Sequence, residues 1–234
     1  MTIDRADGTR FGELWRRCVA SPPSPGAASV FADLRARLLE PGRRFHNMGH
    51  IDDCLARLDE VERHVEDPDA VELALWFHDA VYVPAAADNE ESSARLLIQE
   101  SRRLRIDAAT AERSATLVRA TAHPTAEALA PEAALMLDVD LSILGSDPVR
   151  FLEYEYAIGE EFQDTPRLKF EIGRGRFLTS LLARPSIFHT DFFRERYEAV
   201  AREQLSALLR TPRYRTFRLT RWLTRPLHGE RAVA

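Results

Sequence analysis

Arg44-Phe45-His46-Asn47-Met48-Gly49-His50 and Trp76-Phe77-His78-Asp79 decide how this chain is read, because they stand at the two ends of what reads as a helical hairpin. Apolar residues recur between them at helical spacing. The run breaks only at Asp67-Pro68, a capped and proline-started helix entry. The first arm is expected from near Arg44 to about His64, the second from Pro68 to near Tyr82. Antiparallel arms rising about 1.5 Å per residue put His50 and His78 at a similar level. His46 and His50 are spaced to share one face of the first arm.

The same periodicity extends outward in both directions, and strand alternation is nearly absent. A stripe of Phe11, Leu14, Trp15 and Cys18 ends at the Pro-rich segment 21–26. Ser29 is the expected cap of a second helix that stops at Pro41-Gly42. After the hairpin, Asp88 and Glu91 have the spacing of a capping box that opens a fifth helix to about Leu104. Asp107 caps a sixth that reaches His123-Pro124. Ala133–Leu144 is an apolar run interrupted by Asp138 and Asp140. Asp147-Pro148, Thr165-Pro166 and Thr190 start the last strong helices. About ten helices with short connections make an all-α fold, a single-domain helical bundle over residues 11–210. Residues 211–234 read as a basic C-terminal extension, with one acid, Glu230, among its arginines.

Composition narrows the function classes. The 234 residues are 45% hydrophobic and 29% charged, with net charge −5, so no nucleic-acid partner is expected. No apolar run is long enough to span a membrane, and no apolar signal segment opens the chain. Cys18 and Cys54 have no metal or redox spacing. A reduced, cytoplasmic protein is the expectation.

Chemistry is expected where acids sit in apolar surroundings. Asp79 lies within Leu75–Tyr82, and Asp140 within Leu135–Leu144; a buried aspartate is costly unless paired or bound to a cation. One divalent metal held by His50, His78, Asp79 and Asp140 would satisfy all four. Asp138 is the rival for the last place, and Cys54 reads as packing.

The order His50, His78-Asp79, Asp140 resembles the signature of the HD superfamily of metal-dependent phosphohydrolases. More narrowly, it is similar to a bacterial branch of predicted phosphohydrolases without an assigned substrate. The resemblance rests on Arg44–His50, Trp76–Tyr82, Asp88–Ala94 and Asp138–Gly145, and covers about Trp15 to Leu209. It implies an all-helical fold and hydrolysis of a small phosphate ester, with a nucleotide as the leading candidate. Asp79 would then be catalytic as well as a ligand. One transition metal (Mn, Fe, Co or Zn, with Mg as a further option) suits two imidazoles and two carboxylates, and a second ion is possible. Phe45-His46-Asn47-Met48-Gly49-His50 is also similar to an element of cyclic-nucleotide phosphodiesterases, which implies His46 as general acid. The branch carries arginine where this chain has Gly159, so a basic substrate contact is either missing here or moved to Arg174 or Arg176. Glu90 is a candidate to position water; Arg44 and His123 are candidate phosphate contacts. The competing reading is a nucleotide sensor with a structural metal, and a homo-oligomer is compatible with either.

Overall fold

The computed structural model describes residues 5–19, 26–122 and 129–223. Eleven α-helices occur among them, with short 3₁₀ turns and no strand beyond one isolated bridge between Val19 and Ile106. In order they are α1 Gly8–Cys18, α2 Ala27–Leu38, α3 Met48–Val61, α4 Pro68–Phe77, α5 Asn89–Leu104 and α6 Ala108–Ala120. They continue as α7 Pro131–Leu141, α8 Pro148–Glu161, α9 Arg167–Ala183, α10 Asp191–Arg210 and α11 Arg215–Leu223. The fold is all-α, as the periodicity predicts.

α4 is the central helix. Every residue from Ala70 to Phe77 is buried, so it has no solvent face, and α1, α3, α5, α6 and α7 pack around it. Asp67 accepts a hydrogen bond from the Ala70 amide and Pro68 occupies the first turn. Trp76 is fully buried and meets Phe11 and Phe31 edge-on, with ring centroids 5.3 and 5.9 Å away. Glu72, the one acid on the buried part of α4, is held by Arg10 at 2.7 Å and Arg17 at 3.1 Å. The hairpin thus fastens α1 as well as the site at its far end.

Several expected boundaries move, each for a local reason. α3 starts at Met48, because Asn47 is extended and its side chain accepts from the Gly49 amide. His46 therefore precedes the helix, and the shared helical face with His50 does not exist. α4 stops at Phe77, leaving His78 as its cap and Tyr82 in the following loop. Gly26, not Ser29, precedes α2. Asp88 makes no capping bond; Glu91 instead pairs with Arg95 at 2.8 Å and Arg119 at 2.6 Å. α6 ends at Ala120, short of His123.

The largest correction concerns the chain after Thr211. Residues 212–223 are part of the fold: Tyr214 has no exposed surface and Phe217 is buried against α9. A Cβ placed on Gly175 would lie 2.6 Å from the Phe217 ring, so α11 and α9 approach closely only because that position is glycine. Arg215 and Arg218 are exposed, while Tyr214 and Phe217 point inward. Replacing Tyr214 with Ala is expected to cost about 3 kcal/mol, as for other large buried aromatics. Urea unfolding would check this; a loss below about 0.5 kcal/mol, the range of ordinary surface substitutions, would return 212–223 to the status of an appendage.

Candidate metal centre

Three pieces of backbone meet at the site. His50 comes from the first turn of α3, His78 and Asp79 from the end of α4, and Asp140 from the last turn of α7. His50 Nε2 lies 3.1 Å from His78 Nε2 and 3.1 Å from Asp140 Oδ1. Asp79 Oδ2 lies 3.1 Å from His78 Nε2 and 3.6 Å from His50 Nε2. Neighbours on a helix diverge by about 100°, but His78 and Asp79 both reach the cluster because the helix ends there.

The fourth member of the cluster is Asp140 by placement. Asp138, fully buried on the same helix, turns to the start of α10 instead. It accepts from the His189 amide at 2.7 Å, the Thr190 amide at 2.7 Å and the Thr190 hydroxyl at 2.7 Å. Its oxygens are committed to that helix start. Cys54, read from sequence as packing, comes closer than expected: its Sγ is 3.7 Å from His50 Nε2. His50, Cys54, His78 and Asp140 each offer a donor atom, and these atoms all lie within 4.8 Å of one another. Such a group can hold a metal ion.

Two features of the donor set fit a cation. His78 Nδ1 is 2.8 Å from the Leu75 carbonyl, which can only accept, so Nδ1 carries a proton and the neutral ring turns a lone pair toward the cluster. Asp79 Oδ2 is buried and makes no hydrogen bond of acceptable angle despite its short approach to His78. A buried carboxylate oxygen in that position needs positive charge. The titration of the pair expresses the same need. Burial by itself would lower the His78 pKa, but Asp79 and then Asp140 raise it to about 9. Burial would raise that of Asp79, but His78 and His46 hold it far below the usual carboxylate range.

Beside the cluster lies an assembly that the periodicity did not reveal, centred on Glu161 at the end of α8. Its side chain is fully buried, and its Oε1 accepts three successive amides, Arg44 at 2.8 Å, Phe45 at 2.8 Å and His46 at 3.0 Å. Its Oε2 takes His46 Nδ1 at 2.6 Å and the Tyr82 hydroxyl at 2.8 Å. Burial disfavours its charge, but the His46 imidazole and the Phe45 and His46 amides hold its pKa down at about 2. A carboxylate in that state accepts only, so His46 donates through Nδ1 and its other nitrogen is left to face the site. The His46 ring stacks on Tyr82 at 4.3 Å. Its pKa is lowered by burial but raised overall by Asp79 and Glu161, which favours the protonated ring. Arg43 completes the joint: its guanidinium donates to the His46 carbonyl at 3.2 Å and the Asp79 carbonyl at 2.5 Å. The sequence signal for Glu161 was weak: an acid at a helix C-terminus, where the dipole disfavours negative charge.

The remaining candidates fare unequally. Arg44 is exposed and lines a cleft that also includes His50, while Arg176 lines a second, larger cleft that includes His46 and Asp140. Arg174 lines that larger cleft too, but its guanidinium is paired with the buried Glu155 and lies 2.6 Å from the Tyr154 hydroxyl. A guanidinium does stand at Gly159: Arg213 Nη2 is 3.0 Å from where a Cβ there would be. Glu90, half-buried in the first turn of α5, is not among the residues that line these two clefts. His123 lies outside the described residues.

Comparisons with protein-family models, with curated proteins and with solved structures find no match for this chain.

The Glu161 assembly has an acid signature. A carboxyl with pKa near 4.5 when unfolded and about 2 when folded contributes stability that is complete above about pH 4.5. That contribution is lost as pH falls toward 2, and is on the order of 2–3 kcal/mol. The stability gap between wild type and Glu161→Gln is therefore expected to be widest above pH ~5 and to narrow below it. Denaturant melts across that range would test this, and a gap independent of pH would rule it out.

Proposed function

We propose that this protein is a metal-dependent phosphohydrolase of the HD type, cleaving a small phosphate ester at the His50–His78–Asp79–Asp140 cluster. The observation that carries the reading is the convergence of these four side chains from three helices, with a buried, unsatisfied Asp79 oxygen among them. The resemblance of the His50, His78-Asp79 and Asp140 pattern to that superfamily points the same way. Buried acids assembled only for stability acquire hydrogen-bond donors, as Asp138 does here.

The chain's own residues divide the work. His50, His78, Asp79 and Asp140 would hold the ion, with Cys54 next to His50 as a further donor. A divalent ion bound there supplies Lewis acidity toward a phosphoryl oxygen and toward water. His78 is kept in one tautomer by Leu75, which aims its Nε2 inward. His46 is held by Glu161 and stacked on Tyr82, and it carries the proton for the departing alcohol on the nitrogen that Glu161 does not bind. Glu161 positions His46 and favours its protonated form. Arg43 ties the His46 loop to the Asp79 loop, so acid and ligands keep their spacing.

The purified protein is expected to contain a divalent metal, and Asp79→Ala to lose most of it. His46→Ala is expected to keep the metal while kcat for a phosphate ester falls by about 10²–10⁴. Elemental analysis beside a phosphate-release assay with added Mn, Co or Mg measures both. A metal-free wild type, or unchanged metal in Asp79→Ala, would sink the ligand set. Metal and ligand binding without any turnover would instead leave a sensor.

A further inference from the structure

The larger cleft beside the cluster has a volume of about 870 Å³ and includes His46 and Asp140 in its wall. Most of the rest of that wall is apolar: Phe45, Ile158, Phe162, Phe170, Ile172 and Phe177 all line it. Its inner polar groups already have partners. The Tyr82 hydroxyl and His46 Nδ1 are bound to Glu161, and Arg174 is bound to Glu155 and to the Tyr154 hydroxyl. No Asn, Gln or Glu side chain lines the cleft, and its one acid, Asp140, belongs to the cluster. Ring nitrogens and sugar hydroxyls buried among the aromatic side chains of this wall would lose water without gaining partners there. Two exposed cations, Lys169 and Arg176, line the same cleft and form no ion pair among the described residues.

From this geometry we infer that the substrate is a phosphate monoester of an apolar alcohol. The alcohol part lies in this cleft and the phosphate at the cluster. The inference rests on the phosphohydrolase reading and narrows it away from nucleotides. In the reaction, a water oxygen bonds to phosphorus and the bond from phosphorus to the alcohol oxygen breaks. The released electron pair stays on that oxygen, which takes the His46 proton; water's proton restores His46. The products are inorganic phosphate and the alcohol, which departs on the apolar side where His46 faces it. Lys169 and Arg176 attract the dianion at low salt without reading the alcohol.

The test compares ethyl, butyl, hexyl and octyl phosphate, each below its micelle concentration, with glycerol phosphate and adenosine monophosphate. The metal-loaded full chain is used. kcat/KM is expected to rise roughly fourfold per buried methylene until the cleft is filled, and octyl phosphate to exceed the nucleotide. Ile172→Glu, which places a charge in the cleft wall, is expected to lower kcat/KM for octyl phosphate about tenfold more than for ethyl phosphate. Turnover that is flat with chain length, or a preference for the nucleotide, would overturn this inference and leave the hydrolase reading standing. If no ester is cleaved, that reading fails, and calorimetry with octylphosphonate against methylphosphonate decides the cleft separately. Tighter binding of the octyl compound supports the assignment, and equal or absent binding ends it.

Discussion

Asp79 and Asp140 carry negative charge into a largely buried junction between α3, α7 and the end of α4, where the imidazoles of His50, His78 and His46 stand close by. Low dielectric makes such charge expensive unless it is neutralised at close range. The surrounding structure is arranged to keep the neutralising groups in place. α4 is buried from Ala70 to Phe77, and His78, the residue that caps it, is buried too. Leu75 fixes the tautomer of that ring, and Arg43 grips the carbonyls on either side of the cluster.

Glu161 plays the corresponding part for the segment that carries His46. A single buried carboxylate gathers the amides of residues 44–46, the His46 ring and the Tyr82 hydroxyl. It thereby holds a non-helical segment against a helix start, with Asn47 as the hinge between the two. The short separation of His46 from His50, 6.1 Å between ring centroids, is a product of that loop and not of helical periodicity. Positive charge on His46 is favoured by Asp79 and Asp140, the acids of the cluster, as well as by Glu161.

The cleft adds a different kind of constraint. Its aromatic walls come from α8, α9 and the His46 loop, and the polar atoms among them are satisfied by neighbours within the wall. A pocket of that kind selects by shape and apolar area more than by hydrogen bonding. The buried Arg174–Glu155 pair fixes α9 against α8 and so sets the shape of the cleft. Arg213, brought back by the turn before α11, covers Gly159 and stacks on Phe170 at 5.4 Å. The end of the described chain therefore supports the wall of the site.

Local pattern carried much of this in the sequence itself. Helical class, most helix starts and the Asp67-Pro68 entry to α4 follow from spacing, proline and capping residues, which act within a few positions along the chain. So did the suspicion attached to His50, His78, Asp79 and Asp140, because acids in apolar runs need partners wherever they fold. Long-range geometry decided the rest. Asp138 and Asp140 are two residues apart in the same apolar run, and only packing shows that one meets α10 and the other His50. Once Asn47 starts the helix after it, His46 is held in place by Glu161, distant in sequence, which takes its amide and ring. Cys54 approaches the ligands, and Tyr214 enters the core, for the same reason: a side chain's neighbours across the fold are set by the tertiary path. No window of sequence contains both members of such a pair.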